Sequence, residues 1–195
     1  MRQAMDIEQL KIDVDFMMQA LKEAQAAADE GEVPVGCVIV AEESGPAREK
    51  AKNSACTVGK GTGRGSERTA EVEVKRTAGV GAGAGRVIAR GHNLIQMLKD
   101  PTAHAEMQAI TAASAHLGGK YLDRCTLYVT VEPCPMCAAA LCWAQIGRVV
   151  YGCKDPKRGA SKFTPSLYHP KTEVVGGVLE KECQEIMTSF FKTKR

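Results

Sequence analysis

The sequence predicts an α/β fold, a mixed central sheet covered by helices on both faces. Three observations carry that prediction. The 195 residues are 44% hydrophobic and 25% charged, the balance of a globular domain with length enough for one sizeable core. Runs of β-branched residues alternate with segments of helical periodicity. The elements read in the order helix, strand, strand, helix, strand, helix, strand, loop, helix, which interleaves the two kinds.

Residues 13–30 form the first predicted helix, with Phe16, Met17, Ala20, Leu21, Ala24 and Ala28 at helical spacing and Gly31 as its stop. Pro34 then opens Val35-Gly36-Cys37-Val38-Ile39-Val40. That run is apolar on both faces, as a buried strand requires. Residues 44–85 hold no aromatic residue, Leu or Ile and nine of the nineteen glycines. Such a stretch buries too little apolar area to offset its ordering entropy, so a disordered insertion is expected. Its Gly-rich run is no phosphate loop, because no Gly-Lys-Ser/Thr follows it. Residues 86–90 make the second strand; paired with 35–41 as a hairpin, they put the insertion at the tip and return Asn93 to the other end.

Asp100-Pro101-Thr102 suits the entrance to a helix over 104–117, whose apolar stripe is Met107, Ile110, Ala113 and Leu117. Residues 125–130 are the third strand. Residues 134–146 are almost wholly apolar, which predicts a buried helix. Strand four is 148–152, and 173–175 suits a short fifth strand. The last helix carries Leu179, Cys183, Ile186, Met187, Phe190 and Phe191 on one face, ahead of a basic tail.

The net charge of +3 is uneven: residues 44–85 alone hold +4, which leaves −1 for the rest. Charge therefore gives no argument for an RNA partner. No apolar run approaches the roughly 20 residues of a membrane helix, and Met1-Arg2-Gln3-Ala4-Met5-Asp6 opens no signal peptide. A cytoplasmic protein is expected. Of the eight cysteines, Cys37, Cys125, Cys142, Cys153 and Cys183 read as small buried hydrophobes, and only Cys134 and Cys137 have ligand spacing.

Chemistry concentrates in His104-Ala105-Glu106 and Pro133-Cys134-Pro135-Met136-Cys137. A lone Cys-x-x-Cys suits a redox pair or half a structural metal site equally well, and a lone His at a helix start is ordinarily a cap. Together, H-x-E followed by P-C-x-x-C is the zinc deaminase signature. His104, Cys134 and Cys137 supply three ligands to one Zn2+ and leave its fourth position for water. Both stretches open helices, where the dipole favours thiolates. Side chains of a first turn tilt toward the N-terminus, so Glu106 can converge with His104 as the acid–base residue.

At these residues the sequence resembles the bacterial tRNA-specific adenosine deaminases, which convert the wobble adenosine of a tRNA anticodon to inosine and release ammonia. The matching stretches include Glu32-Val33-Pro34-Val35-Gly36, Gly91-His92-Asn93, residues 100–106, residues 126–134, residues 146–152 and Ser189-Phe190-Phe191. The resemblance implies a three-layer α/β/α cytidine deaminase-like fold, a homodimer and a tRNA anticodon stem-loop as substrate. It implies that Asn93 contacts the nucleoside, that Val35 and Ala105 line the base pocket, and that Asp155 and Lys157 touch the anticodon. Residues 44–85 and 161–170 depart from the family pattern. The alternatives are a guanine deaminase of the same fold, against which Val35 and the loop after strand four argue, and a non-catalytic RNA-binding subunit, against which Glu106 argues.

Overall fold

The computed structural model describes residues 7–42 and 85–194. The first helix, α1, spans Ile7–Asp29 and starts six residues ahead of the predicted boundary. Strands β1 (Gly36–Ala41) and β2 (Arg86–His92) form the expected antiparallel hairpin, with Gly36 opposite His92 and Ala41 opposite Arg86. The predicted insertion, residues 44–85, lies outside the described residues apart from Gly85. Its flanks attach beside Ala41 and Arg86, while Val35 and Asn93 meet at the opposite end through an Asn93 N–H to Val35 carbonyl bond of 3.2 Å.

A single turn, α2 (Ile95–Leu98), precedes α3 (Ala105–Leu117). Then come β3 (Cys125–Val131), α4 (Pro135–Trp143), β4 (Arg148–Cys153), a 3-10 turn at Ala160–Lys162, β5 (Glu173–Gly176) and α5 (Glu180–Thr193). The sheet order is β2-β1-β3-β4-β5, antiparallel through β3 and parallel from β3 to β5. Alternation along β1 divides the core: Cys37 and Ile39 face one layer with Ala105, Ala109 and Leu141, while Val38 and Val40 face the other with Phe16, Met17 and Cys183. The result is three layers, with α3 and α4 on one face and α1 and α5 on the other.

Three expectations need correction. Of the predicted α3 stripe, Ala113 is buried and Ile110 packs partly against the core, but Leu117 is exposed, and the buried face runs through Ala105, Ala109 and Ala113. The reason lies across the interface at Gly91 of β2, where a Cβ would collide with the Ala105 carbonyl oxygen. The helix backbone lies directly on the sheet, and only alanines fit between. Helix α4 is also not wholly buried. It ends at Trp143 rather than 146, buries Cys137, Ala138 and Leu141, and leaves Trp143 84% exposed. Cys142 is accordingly only partly buried, whereas Cys37, Cys125, Cys153 and Cys183 are buried as expected. In α5 only Cys183 is fully buried, and Phe191 is exposed.

Candidate active site

The two sequence stretches meet as the N-termini of adjacent helices. His104 is the residue before α3, with φ −71° and ψ 155°, and Cys134 holds the same position before α4, with φ −71° and ψ 169°. Neither side chain bonds its own helix, so both are free to turn toward each other. Pro135 opens α4 where a missing N–H costs nothing. Cys137, one turn later, faces the same way. The Nδ1 of His104 lies 3.7 Å from the Cys134 Sγ and 3.6 Å from the Cys137 Sγ. One ligand atom from each of the three falls within 4.8 Å of the others, the one such group among the described residues.

The electrostatics follow from that closeness. A hydrogen bond from Cys137, with a further one from His104, pulls the Cys134 thiol down to about 4. The same bond to Cys134, then burial, pushes the Cys137 thiol far up, so the first proton leaves Cys134. The bond to Cys134 raises His104 as well.

Glu106 lies in the first turn of α3 and is only 3% exposed. Burial raises its carboxyl above the ordinary range, and Cys137 lies within its hydrogen-bonding reach. Its Oε2 finds no hydrogen-bond partner among the described residues. A buried carboxylate oxygen left open in this way demands an explanation, and a catalytic proton carrier is one. Among the described residues, the buried Tyr168 hydroxyl is the other unpartnered oxygen.

Asn93 is buried, and its Oδ1 accepts the Ala105 N–H at 3.0 Å. It thereby fixes the start of α3, hence His104 and Glu106. Ala105 itself is fully buried in the core layer beneath the site, and Val35 is partly buried beside Asn93. Asp155 and Lys157 occupy the loop after β4. The Asp155 Oδ1 accepts the Lys157 and Arg158 N–H groups, at 2.8 and 3.0 Å, so its carboxylate shapes the turn while both basic side chains point outward.

Two carboxylates escaped the sequence reading. Glu32, 2% exposed, accepts the Gln96 and Met97 N–H groups at 2.6 and 2.9 Å and thereby builds α2. Glu132, 4% exposed, accepts the Asp155 and Ser161 N–H groups. The available signal was an acidic residue beside an apolar strand and followed closely by proline, in Val131-Glu132-Pro133 and Glu32-Val33-Pro34.

The model of the MafB19-like deaminase family matches residues 53–195. The chain is 35% identical to the tRNA-specific adenosine deaminase of Bacillus subtilis, over 92% of this chain and 89% of that one. It is 36% identical to that of Agrobacterium fabrum, over 92% and 94%. A solved structure from a study of A-to-I editing by tRNA:A34 deaminases at the wobble position superposes with a TM-score of 0.63 at 35% identity, over 88% of this chain and 98% of that one. The guanine deaminase of Nitrosomonas europaea shares the fold, with a TM-score of 0.61 at 16% identity, over 91% and 83%.

Proposed function

The chain belongs to the tRNA-specific adenosine deaminase family, and on that premise we propose that it converts the wobble adenosine of a tRNA anticodon to inosine at a zinc site. The observation that carries the reading is the convergence of a buried, open Glu106 oxygen on a His104–Cys134–Cys137 cluster.

The donor set fits zinc. Bonds of about 2.3 Å to sulfur and about 2.0–2.1 Å to nitrogen at tetrahedral angles separate S and N ligands by about 3.6 Å. The two S···N distances are 3.7 and 3.6 Å. A zinc ion held by His104 Nδ1 and both sulfurs supplies Lewis acidity, which brings the pKa of water to about 7.

Glu106 takes one proton from the attacking water and delivers it to the ring nitrogen, then takes the second proton from the newly bound hydroxyl and delivers it to the departing amine. Oxygen is gained at the amino-bearing carbon, the C–N bond breaks, and ammonia leaves. Because burial favours the protonated form of Glu106, the carboxyl holds each proton between its uptake and its delivery. Asn93 spends its Oδ1 on Ala105, which leaves its amide N–H group as the donor to the nucleoside. Val35 and the Ala105 backbone bound the base. Lys157 supplies a phosphate contact, and Asp155 acts by holding the turn that presents it. Anticodon loops are single-stranded, so splaying out one base needs little energy.

The reading includes a homodimer. On α4, Met136, Ala140 and Trp143 share the face opposite the buried Cys137, Ala138 and Leu141. An apolar helix face ending in an exposed tryptophan suits a second copy of the chain. No described helix is long and apolar enough to cross a membrane, and a tRNA substrate suits a cytoplasmic enzyme.

The test incubates zinc-loaded protein with an anticodon stem-loop carrying a wobble adenosine, and with free guanine in parallel. Inosine from the stem-loop is expected. Ammonia from guanine alone would overturn the substrate and keep the chemistry; zinc bound without either product would overturn the enzyme.

A further inference from the structure

We infer that Glu132 is a positioning residue that ties the RNA-facing turn of residues 155–161 to the β3–α4 junction that carries Cys134. The inference rests on the functional reading above and adds a residue to it. Glu132 is 4% exposed, and its two oxygens each take one backbone N–H from opposite sides of the turn: Oε2 from Asp155 at 3.2 Å and Oε1 from Ser161 at 2.8 Å. Burying a carboxylate costs free energy that only such charge-assisted bonds offset.

The backbone repeats the same stitching. The Glu132 N–H donates to the Cys153 carbonyl at 2.9 Å, and the Ala160 N–H donates to the Pro133 carbonyl at 3.0 Å. The turn is therefore clamped at both ends to residues 132 and 133, and the next residue is Cys134. Gly159 packs on the carboxylate so closely that a Cβ there would run into it. Within the clamp, Asp155 caps the Lys157 and Arg158 N–H groups, which directs those two exposed side chains away from the turn. Glu132 thus sets the offset between the metal ligand Cys134 and the basic pair at the tip. It touches neither the reacting atoms nor the phosphate.

The experiment uses the full zinc-loaded chain. Glu132→Gln keeps the shape and one acceptor but turns an amide donor against the second N–H. One charge-assisted bond lost corresponds to about a tenfold effect or more. The expected result is a KM for the stem-loop raised about tenfold, with kcat and zinc content within about twofold of the parent. Lys157→Ala raises KM in the parent and adds less than half that factor in Glu132→Gln, because the two act through one turn. Tryptic cleavage after Lys157 and Arg158, read without any substrate, is faster in Glu132→Gln. Gly159→Ala reproduces the pattern if Glu132→Gln folds poorly. An unchanged KM with unchanged cleavage overturns the inference, as does a loss of kcat together with zinc. A parent that makes no inosine refutes the functional reading instead, and the cleavage rates then decide the role of Glu132 by themselves.

Discussion

Replacing Asp13 with Ala should unfasten α1 from the sheet. The Asp13 side chain is fully buried, and Arg148 of β4 grips it with two bonds, Nη1 to Oδ1 at 2.6 Å and Nη2 to Oδ2 at 2.8 Å. Tyr128 of β3 donates its hydroxyl to Oδ1 at 2.9 Å, and Gln9 donates at 3.0 Å. The Arg148 side chain is only 14% exposed, and its remaining acid, Glu173, is 63% exposed. Removing Asp13 therefore strands a largely buried guanidinium and a buried phenol. Breaking a buried pair from one side costs roughly 3–5 kcal/mol. Glu173 stays beside Arg148, so we take the lower end, about 3 kcal/mol, or a Tm lower by about 6–12 °C for a domain of this size. Thermal and urea unfolding followed by circular dichroism measure it. The double replacement Asp13→Leu with Arg148→Met should regain more than half of the loss, because it leaves no buried charge. A loss under about 1 kcal/mol in Asp13→Ala would refute the reasoning and leave Phe16, Met17 and Ala20 as sufficient anchors.

Gly91→Ala should cost about 1–3 kcal/mol through overpacking against Ala105. It should lower kcat/KM by roughly 100-fold, since His104 stands at the N-cap of α3 and Glu106 lies in its first turn; urea titration and the stem-loop assay read both. His92 titrates above its ordinary value, chiefly through its bond to Glu23 with Glu30 assisting and burial opposing. A raised folded value means that the folded state binds the proton more tightly. This stabilisation is complete below the unfolded value of about 6.5 and is lost as pH rises through the folded one. The Tm advantage of the parent over His92→Gln should therefore be full near about pH 5.5 and shrink as pH rises above about 6.5 through the raised folded value; a constant difference would contradict it. Trp143→Asp should turn the proposed homodimer into a monomer in light scattering without altering the circular dichroism, since the side chain is 84% exposed.

The sequence exposed those features whose causes are local. The strands are β-branched runs, and the H-x-E and P-C-x-x-C stretches form their site at helix starts that the sequence itself marks, with Pro101 and Pro135 nearby. What escaped has a distant cause. Helix α2 exists because Glu32, 64 residues before Gln96, accepts its first N–H groups. The α3 face was misjudged because size, not polarity, selects the residues over Gly91, and alanine carries a weak apolar signal. Helix α4 looked wholly buried because composition alone does not separate its exposed apolar face, ending at Trp143, from the buried one of Cys137, Ala138 and Leu141. The turn-forming role of Asp155 also escaped, because its bonds to the Lys157 and Arg158 N–H groups depend on the backbone conformation of the loop.

The central claim is that Glu106 moves protons at a metal held by His104, Cys134 and Cys137 and is not itself needed to hold the metal. The measurement is nucleoside analysis of the wobble position, beside metal content, for the parent and for Glu106→Gln. The account predicts inosine from the parent, none from Glu106→Gln, and the same zinc per chain in both. Inosine formed by Glu106→Gln at the parent rate, or zinc lost from it, would contradict the account.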